Sequence, residues 1–94
     1  MAIENKQNTT KYALITGATG GLGKAFVGQV AKRGQSLVLT GRSQEKLSAL
    51  QADIEKEFPN IEVKTFPMDL TNEQDRYAFI DKIKQAGLLL YFVI

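Results

Sequence analysis

Short apolar segments alternate with longer amphipathic ones along this chain. Residues 12–16 and 37–40 are short and apolar, as expected for strands buried on both faces. In residues 61–66, Ile61, Val63 and Thr65 alternate with the less apolar set Glu62, Lys64 and Phe66. Residues 88–94 form an unbroken apolar run. The pattern predicts four β-strands, of which the third has one less apolar face and the fourth is buried on both.

Between the first three strands, apolar residues recur every three or four positions, which predicts two amphipathic helices. The first is expected over residues 22–33, followed by Gly34 in the left-handed conformation that ends many helices. The second follows Ser43, whose hydroxyl can cap free amides, and stops at Pro59. The expected inward side chains are Leu22, Phe26, Val27 and Val30 in the first helix and Leu47, Leu50, Ile54 and Phe58 in the second.

A third helix is predicted before the last strand. Thr71 and Gln74 have the Thr-x-x-Gln spacing of a capping box, so Thr71 is its expected N-cap. The helix is expected to end at Gly87. Its expected inward side chains are Tyr77, Ile80 and Ile83.

The resulting βαβαβαβ order predicts an α/β fold. Short connections of this kind give a parallel sheet with helices on both faces, and the expected strand order is 3-2-1-4. The chain has 94 residues, enough for one small core but not for two domains. Residues 1–10 are polar and are expected to form a disordered lead-in.

Composition removes several classes of function. The chain has 12 Lys and Arg against 10 Asp and Glu, a balance too weak to predict binding to nucleic acid or to an anionic membrane. It has no Cys and no His, which excludes thiolate or imidazole catalysis and the usual zinc ligands. No metal is therefore expected. The lack of Cys, of a hydrophobic signal core at the N-terminus and of an apolar stretch of about 18 residues fits the expectation of a cytoplasmic protein.

Candidate chemistry begins in the turn after the first strand, where residues 16–24 read TGATGGLGK. Gly17 permits a sharp turn, Gly20 or Gly21 lets the backbone approach a pyrophosphate, and Gly23 allows close packing of the helix. The free amides near Leu22 and Gly23 would then face the anion at the helix N-terminus. The turn therefore predicts a Rossmann-type dinucleotide site.

Two other interpretations of this turn exist. It could be a tight strand-to-helix turn with no ligand, although it holds more glycines than such a turn requires. A phosphate loop of the NTPase kind needs Ser or Thr after its lysine to hold magnesium. Here Ala25 follows Lys24, so that interpretation is disfavoured.

The end of the second strand indicates which dinucleotide binds. NAD-binding Rossmann folds place an acidic residue roughly 20 positions beyond the glycines to hold the ribose 2′-hydroxyl. Gly41 occupies the corresponding position and Arg42 follows it, and a guanidinium can bind a 2′-phosphate through paired hydrogen bonds. NADP(H) is therefore the predicted cofactor; the alternative is that Arg42 is an ordinary exposed charge. Lys46, one helical turn later, is expected to be solvated; the alternative is that it helps Arg42 to bind the phosphate.

These motifs resemble the short-chain dehydrogenase/reductase family over residues 11–94. Thr16, Gly17, Gly21 and Gly23 match its Thr-Gly-x-x-x-Gly-x-Gly signature. Gly20 also allows the Thr-Gly-x-x-Gly-x-x-Gly pattern of the extended branch. Residues 41–47, Gly-Arg-Ser-x-Glu-Lys-Leu, are similar to NADP-type members of the shorter branch and favour that branch.

The resemblance implies further cofactor contacts. Asp69 and Leu70 would border the adenine, Asp69 by accepting from its amino group and Leu70 by lining the ring; an Asp that merely precedes a helix is the alternative. Some NADP-type relatives also carry a basic residue where this chain has Gly20. The predicted contacts are Gly17, Thr19, Gly20, Gly21, Leu22, Gly23, Arg42, Asp69 and Leu70.

The resemblance also implies a reaction, hydride transfer between NADP(H) and a carbonyl or alcohol. The family's catalytic Tyr-x-x-x-Lys, with its Ser and Asn, lies beyond the fourth strand, and Tyr12, Tyr77 and Tyr91 have no Lys four residues on. Residues 11–94 are therefore expected to be the N-terminal part of an NAD(P)-binding domain, truncated after strand four and inactive alone. A non-catalytic NADP-binding module and a fragment that binds no ligand are the alternatives.

Oligomer formation is expected through the last strand. Without a fifth strand, residues 88–94 would leave backbone groups unpaired along an apolar edge that no charge or proline protects. Two copies that pair there would bury apolar surface, so a homo-oligomer is predicted.

Overall fold

A computed structural model describes residues 11–93 of the chain, with side chains as far as residue 90. The predicted lead-in, residues 1–10, and the last residue of the predicted fourth strand lie outside the described residues. Strands and helices alternate in the order β1 (Lys11–Ile15), α1 (Gly21–Lys32), β2 (Ser36–Gly41), α2 (Gln44–Glu57), β3 (Val63–Pro67), α3 (Glu73–Ala86) and β4 (Leu89–Val93).

The four strands form one parallel sheet in the order β3-β2-β1-β4. This confirms the predicted α/β fold and its strand order, in which the order of strands along the sheet switches between β1 and β4. β4 pairs with β1 along one edge, and the register shifts between Tyr12 and Ala13. Pairing of β4 with a second copy of the chain stays a prediction.

Side chains of the central strands divide the core between the two faces of the sheet. α1 and α2 cover one face, where Ala13, Ile15 and Leu37 are fully buried. α3 covers the other face, where Tyr12 and Val38 are buried. Successive residues of a strand point to opposite faces, so both faces of β1 and β2 must be apolar, as their sequences predicted.

The helix ends follow their local sequences. Ser43 caps α2, since its Oγ accepts a hydrogen bond from the Lys46 amide at 3.2 Å. Gly34 has φ +82° and Gly87 has φ +68°, the left-handed conformation that glycine adopts without strain. These predicted ends are confirmed.

The apolar stripe of α1 is rotated from the predicted one. Leu22 is 75% exposed and Phe26 38%, whereas Val27, Val30 and Ala31 are buried. Val27, Val30 and Ala31 lie at positions i, i+3 and i+4 and form one face of the helix. Leu22 lies in the first turn, beside the glycines. The prediction was wrong for Leu22 and Phe26 because helical spacing alone does not fix which side of a stripe meets the sheet.

α3 differs from its prediction in the same way. Tyr77 is 62% exposed and Ile80 is 47% exposed, while Ile83 is buried as expected. Phe79, four residues before Ile83, faces the sheet, and its ring meets that of Phe66 edge-on at a centroid distance of 5.7 Å. The aromatic contact and Ile83 together fix the rotation of the helix.

The predicted N-cap of α3 was wrong by one residue. Asn72 caps the helix by accepting a hydrogen bond from the Asp75 amide at 3.0 Å. Thr71 instead donates both its amide and its hydroxyl to Asp69. A carboxylate two residues upstream is the stronger acceptor for these donors, and Asn72 is an equally good cap.

The helices of the described region have 12, 14 and 14 residues, and none is long and apolar enough to cross a bilayer.

Hydrogen bonds join three strands at the N-terminal edge of the sheet. The buried Tyr12 hydroxyl donates to Glu62 Oε1 at 2.6 Å. The Glu62 amide donates to Ser36 Oγ at 3.0 Å, and the Leu37 amide donates to the Glu62 carbonyl at 2.8 Å. Burial, followed by the hydrogen bond and charge of Glu62, raises the pKa of Tyr12 from its ordinary value of 10.0 to about 12.

This raised pKa makes the stability of the chain sensitive to alkaline pH. Because the folded state holds the Tyr12 proton more tightly than the unfolded state, the contribution is complete below about pH 10 and is lost as pH rises towards 12. Tyr12→Phe should lower the free energy of unfolding by about 0.5–1.5 kcal/mol at pH 8 and should flatten the decline above pH 10. Urea unfolding of both proteins at several pH values measures this.

Tyr77→Phe is the matched control, since the Tyr77 hydroxyl lies on the exposed surface, 3.5 Å from Glu73. Tyr77→Phe should change neither the free energy of unfolding at pH 8 nor its decline above pH 10. Parallel pH profiles of the wild type and Tyr12→Phe would contradict the prediction.

Candidate functional site

A cleft of about 370 Å³ opens at the C-terminal edge of the strands, where the segments after β1, β2 and β3 meet. Parallel strands end at one edge of the sheet, so three loops distant in sequence converge there. Six predicted contacts line the cleft: Gly17, Thr19, Gly20, Arg42, Asp69 and Leu70.

Backbone hydrogen bonds connect the three loops beneath the cleft. The Ala18 amide donates to the Thr40 carbonyl at 3.0 Å, which joins the glycine turn to the end of β2. The Met68 amide donates to the Gly41 carbonyl at 2.8 Å, which joins the end of β2 to the segment after β3. The walls of the cleft are therefore held in fixed relative positions.

Two glycines of the turn are required by the fold itself. Gly17 has φ +58°, a left-handed conformation that other residues rarely adopt. A Cβ on Gly23 would lie 2.1 Å from the carbonyl oxygen of Gly17, closer than any real contact. Gly23 thus lets the first turn of α1 pack against the backbone of the turn that precedes it.

The other two glycines are not explained by packing. A Cβ on Gly20 would meet only the Gly17 carbonyl oxygen at 3.5 Å, an ordinary contact, and a Cβ on Gly21 would meet nothing within 4 Å. Neither residue has a positive φ. The space that their missing side chains leave is open, so a ligand can approach the backbone there.

The N-terminus of α1 is electrostatically prepared for an anion. It begins after Gly20, which has no side chain to cap it, and its first turn holds no acidic residue. By contrast, Ser43 caps α2 and Asn72 caps α3, and both of those helices have acidic residues in the first turn. The first amides of α1 are available to an anion and the helix dipole favours negative charge.

Arg42 stands on the wall of the cleft directly after β2. Its side chain is 75% exposed, so the guanidinium is free to reorient towards a ligand. A Cβ on Gly41 would lie 3.5 Å from Leu47 Cδ2 and 3.6 Å from Thr19 Oγ1, both ordinary contacts. The fold therefore leaves room for a Cβ at this position, so packing alone does not require glycine there.

Asp69 is held as a carboxylate on the opposite wall. Its Oδ1 accepts hydrogen bonds from the Thr71 hydroxyl at 2.7 Å and the Thr71 amide at 2.9 Å. These bonds, with a smaller contribution from the charge of Arg42, lower the pKa of Asp69. Arg42 Nη2 lies 3.6 Å from the same oxygen, so an exposed ion pair spans the cleft.

The remaining predicted contacts, Gly21, Leu22 and Gly23, lie in the first turn of α1 rather than on the lining of the cleft. The cleft is also lined by six residues that were not among the predicted contacts, Thr40, Gly41, Ser43, Lys46, Met68 and Thr71. Their common signal is position, because each lies within a few residues of the end of β2 or β3. Lys46 also faces the solvent, as the sequence suggested.

Beside Leu70, the cleft adjoins an apolar crevice of about 220 Å³ beneath α3, lined by Leu14, Thr16, Thr40, Met68, Leu70, Arg76, Phe79 and Ile80. Leu70 is 46% exposed and forms part of both walls. The loop after β3 is stabilised there by Arg76, whose Nη1 donates to the Leu70 carbonyl at 2.7 Å.

The chain is similar in sequence to known proteins of one family. Residues 11–90 match the sequence profile described as short chain dehydrogenase. A very-long-chain 3-oxoacyl-CoA reductase of Bos taurus is 44% identical over 80 residues, which cover 83% of this chain and 24% of the bovine protein. The reductase of the same name from Neurospora crassa is 40% identical over 83 residues, which cover 84% of this chain and 25% of that protein.

Solved structures show the same similarity. A short-chain dehydrogenase from Sphingobium yanoikuyae in complex with NADPH superposes with a TM-score of 0.74 at 32% identity, covering 85% of this chain and 32% of that one. The chain thus spans about a quarter of the length of the curated relatives it matches.

Because the fold requires Gly23 but not Gly21, substitution by alanine should change the free energy of unfolding differently at these two positions. Gly23→Ala should destabilise the fold by about 1–3 kcal/mol, because the new methyl group would collide with backbone that cannot move aside. Gly21→Ala should leave the free energy of unfolding unchanged or slightly higher, since its Cβ meets nothing and alanine favours the helix. Urea unfolding of the two variants measures this, and equal losses would contradict the assignment.

Proposed function

The chain belongs to the short-chain dehydrogenase family, and from this premise we propose that it forms the NADP(H)-binding part of an oxidoreductase that transfers hydride between NADP(H) and a carbonyl or alcohol substrate. One observation carries the choice of NADP(H) over NAD(H). Arg42 lines the cleft at the end of β2, directly after Gly41, which stands where an NAD-binding site would carry a carboxylate. A 2′-phosphate would meet a cation there rather than a repelling anion.

The residues of the cleft fit the three charged or aromatic parts of such a cofactor. The first amides of α1, beside the open backbone of Gly20 and Gly21, would hold the pyrophosphate. Arg42 would hold the 2′-phosphate, and Asp69 and Leu70 would border the adenine. Thr19 lies between the first two positions, on the lining of the same cleft.

NADP(H) would supply the hydride, and the described residues would bind and orient it. Fixed amide dipoles at α1 and the guanidinium of Arg42 would anchor the phosphates without reorganisation of the fold. Asp69 is ionised near neutral pH, as carboxyl groups ordinarily are, and its lowered pKa extends this to more acidic pH. It would therefore act as a hydrogen-bond acceptor and not as an acid.

The substrate class proposed for the whole protein is a 3-oxoacyl thioester. Support comes from the bovine and Neurospora relatives, both of which are named very-long-chain 3-oxoacyl-CoA reductases. The chain spans about a quarter of their length, so the proposal concerns the protein of which these residues form the cofactor-binding part. NADPH-dependent reduction of a 3-oxoacyl-CoA by the intact protein is the assay. Cofactor binding without turnover of any carbonyl would favour a non-catalytic module.

Arg42→Ala tests the cofactor assignment. Loss of a charge-assisted hydrogen bond to phosphate should weaken NADPH binding roughly 10- to 150-fold and leave NADH binding nearly unchanged. Titration of both cofactors, followed by fluorescence or calorimetry, measures the difference. Arg33→Ala, a matched loss of one exposed positive charge at the far end of α1, should affect neither. Equal weakening of NADPH and NADH by Arg42→Ala would sink the assignment.

Gly21→Val tests the approach of the pyrophosphate to the backbone. Branched methyl groups should fill the open space beside the first turn of α1 and abolish binding of both NADPH and NADH, while the circular dichroism spectrum and the unfolding transition stay those of a folded chain. A folded variant with normal affinity for NADPH would show that this glycine serves only the turn.

A further inference from the structure

A second cleft, of about 300 Å³, lies between α1 and α2 and is lined by Thr19, Lys24, Lys46, Ala49, Leu50 and Asp53. It shares Thr19 and Lys46 with the cofactor cleft. Lys46 therefore stands on the boundary between the two and belongs to the same wall as Arg42. Lys24 lines only the second cleft.

The fold fixes the position from which Lys46 reaches this boundary. Lys46 is the third residue of α2, and its amide donates to Ser43 Oγ at 3.2 Å in the N-cap of that helix. The same cap directly follows Arg42. The two cations are thus four residues apart in the chain, one before the cap and one in the first turn of α2, and both are exposed and line the cleft.

The charges of Arg42 and Lys46 are not equally available. Arg42 lies 3.6 Å from the Asp69 carboxylate, which offsets part of its charge. Within the described part of the chain, Lys46 has no ion-pair partner. A phosphate monoester carries about −1.5 to −2 charges near neutral pH, more than one shared guanidinium can balance. The glycine turn contributes no further cation, since residues 17–23 contain no Lys or Arg.

We propose that Lys46 is a specificity-determining residue, the second cation for the 2′-phosphate of NADP(H). The inference rests on the proposed NADP(H) function of the cleft. The Lys46 ammonium would approach the phosphate from α2 while Arg42 approaches from the end of β2. Helix α2 thereby supplies the charge that the glycine turn lacks.

The test uses two small probes that differ only in the group in question. Adenosine 2′,5′-bisphosphate carries the 2′-phosphate and adenosine 5′-monophosphate lacks it. Their dissociation constants are measured by calorimetry for the wild-type chain and for Lys46→Ala, Lys46→Arg and Lys24→Ala. Lys24→Ala is the matched control, because it removes the same charge from the neighbouring cleft only.

Lys46→Ala should weaken the bisphosphate about 3- to 10-fold, less than a buried contact would because the site is open to solvent. It should leave the monophosphate unchanged and reduce the salt dependence of bisphosphate binding. Lys46→Arg should retain the wild-type preference, and Lys24→Ala should change neither constant appreciably.

The possible failures are distinguishable. If the wild-type chain prefers the bisphosphate and Arg42→Ala removes that preference, but Lys46→Ala binds like the wild type, the inference about Lys46 is overturned and the proposed function stands. Equal effects of Lys46→Ala and Lys24→Ala would reduce Lys46 to a general surface charge and also overturn it. A wild-type chain that shows no preference for the bisphosphate would overturn the NADP(H) proposal itself.

Discussion

The close approach of Gly23 to Gly17 is the contact on which the site depends. The first turn of α1 packs against the carbonyl group of Gly17, at a distance that leaves no room for a Cβ at Gly23. Without that approach, α1 would begin further from the end of β1, and its free amides would no longer border the cleft at the edge of the sheet. One steric constraint thus places the partial positive charge of a helix N-terminus where three strands end.

The charged residues of the cleft are arranged around this constraint. Asp69 is held by both donors of Thr71, and the Arg42 guanidinium lies across the cleft from it at 3.6 Å. An exposed ion pair of this geometry contributes little to stability, so Arg42 can exchange its partner for a phosphate at small cost. Two cations line the cleft, Arg42 after β2 and Lys46 in α2, whereas the carboxylate of Asp69 follows β3.

The opposite edge of the sheet has a different role. There Tyr12, Glu62 and Ser36 join β1, β2 and β3 through hydrogen bonds that involve no residue of the cleft. The two edges can therefore be changed separately. Substitutions at Tyr12 are expected to act on stability and its pH dependence, whereas the proposed roles of Arg42 and Lys46 concern ligand preference, so loss of folding and loss of binding can be told apart.

The sequence by itself determined the order of the elements, the parallel sheet and the family. The apolar runs of the strands, the glycine-rich turn and the residues that follow each strand are local features, so short stretches of sequence are enough to identify them. It also indicated six residues of the cleft, since loops that follow parallel strands must meet at one edge. Only the tertiary structure decided which sides of α1 and α3 face the sheet: Leu22 and Tyr77 continue the apolar spacing yet are exposed, because the contacts of Val27, Phe79 and Ile83 set the rotation of each helix. The tertiary structure also distinguished Gly17 and Gly23, which the fold requires, from Gly20 and Gly21, which it does not. It placed Lys46 on the wall of the cleft as well. These findings depend on distances between atoms, which the sequence does not contain.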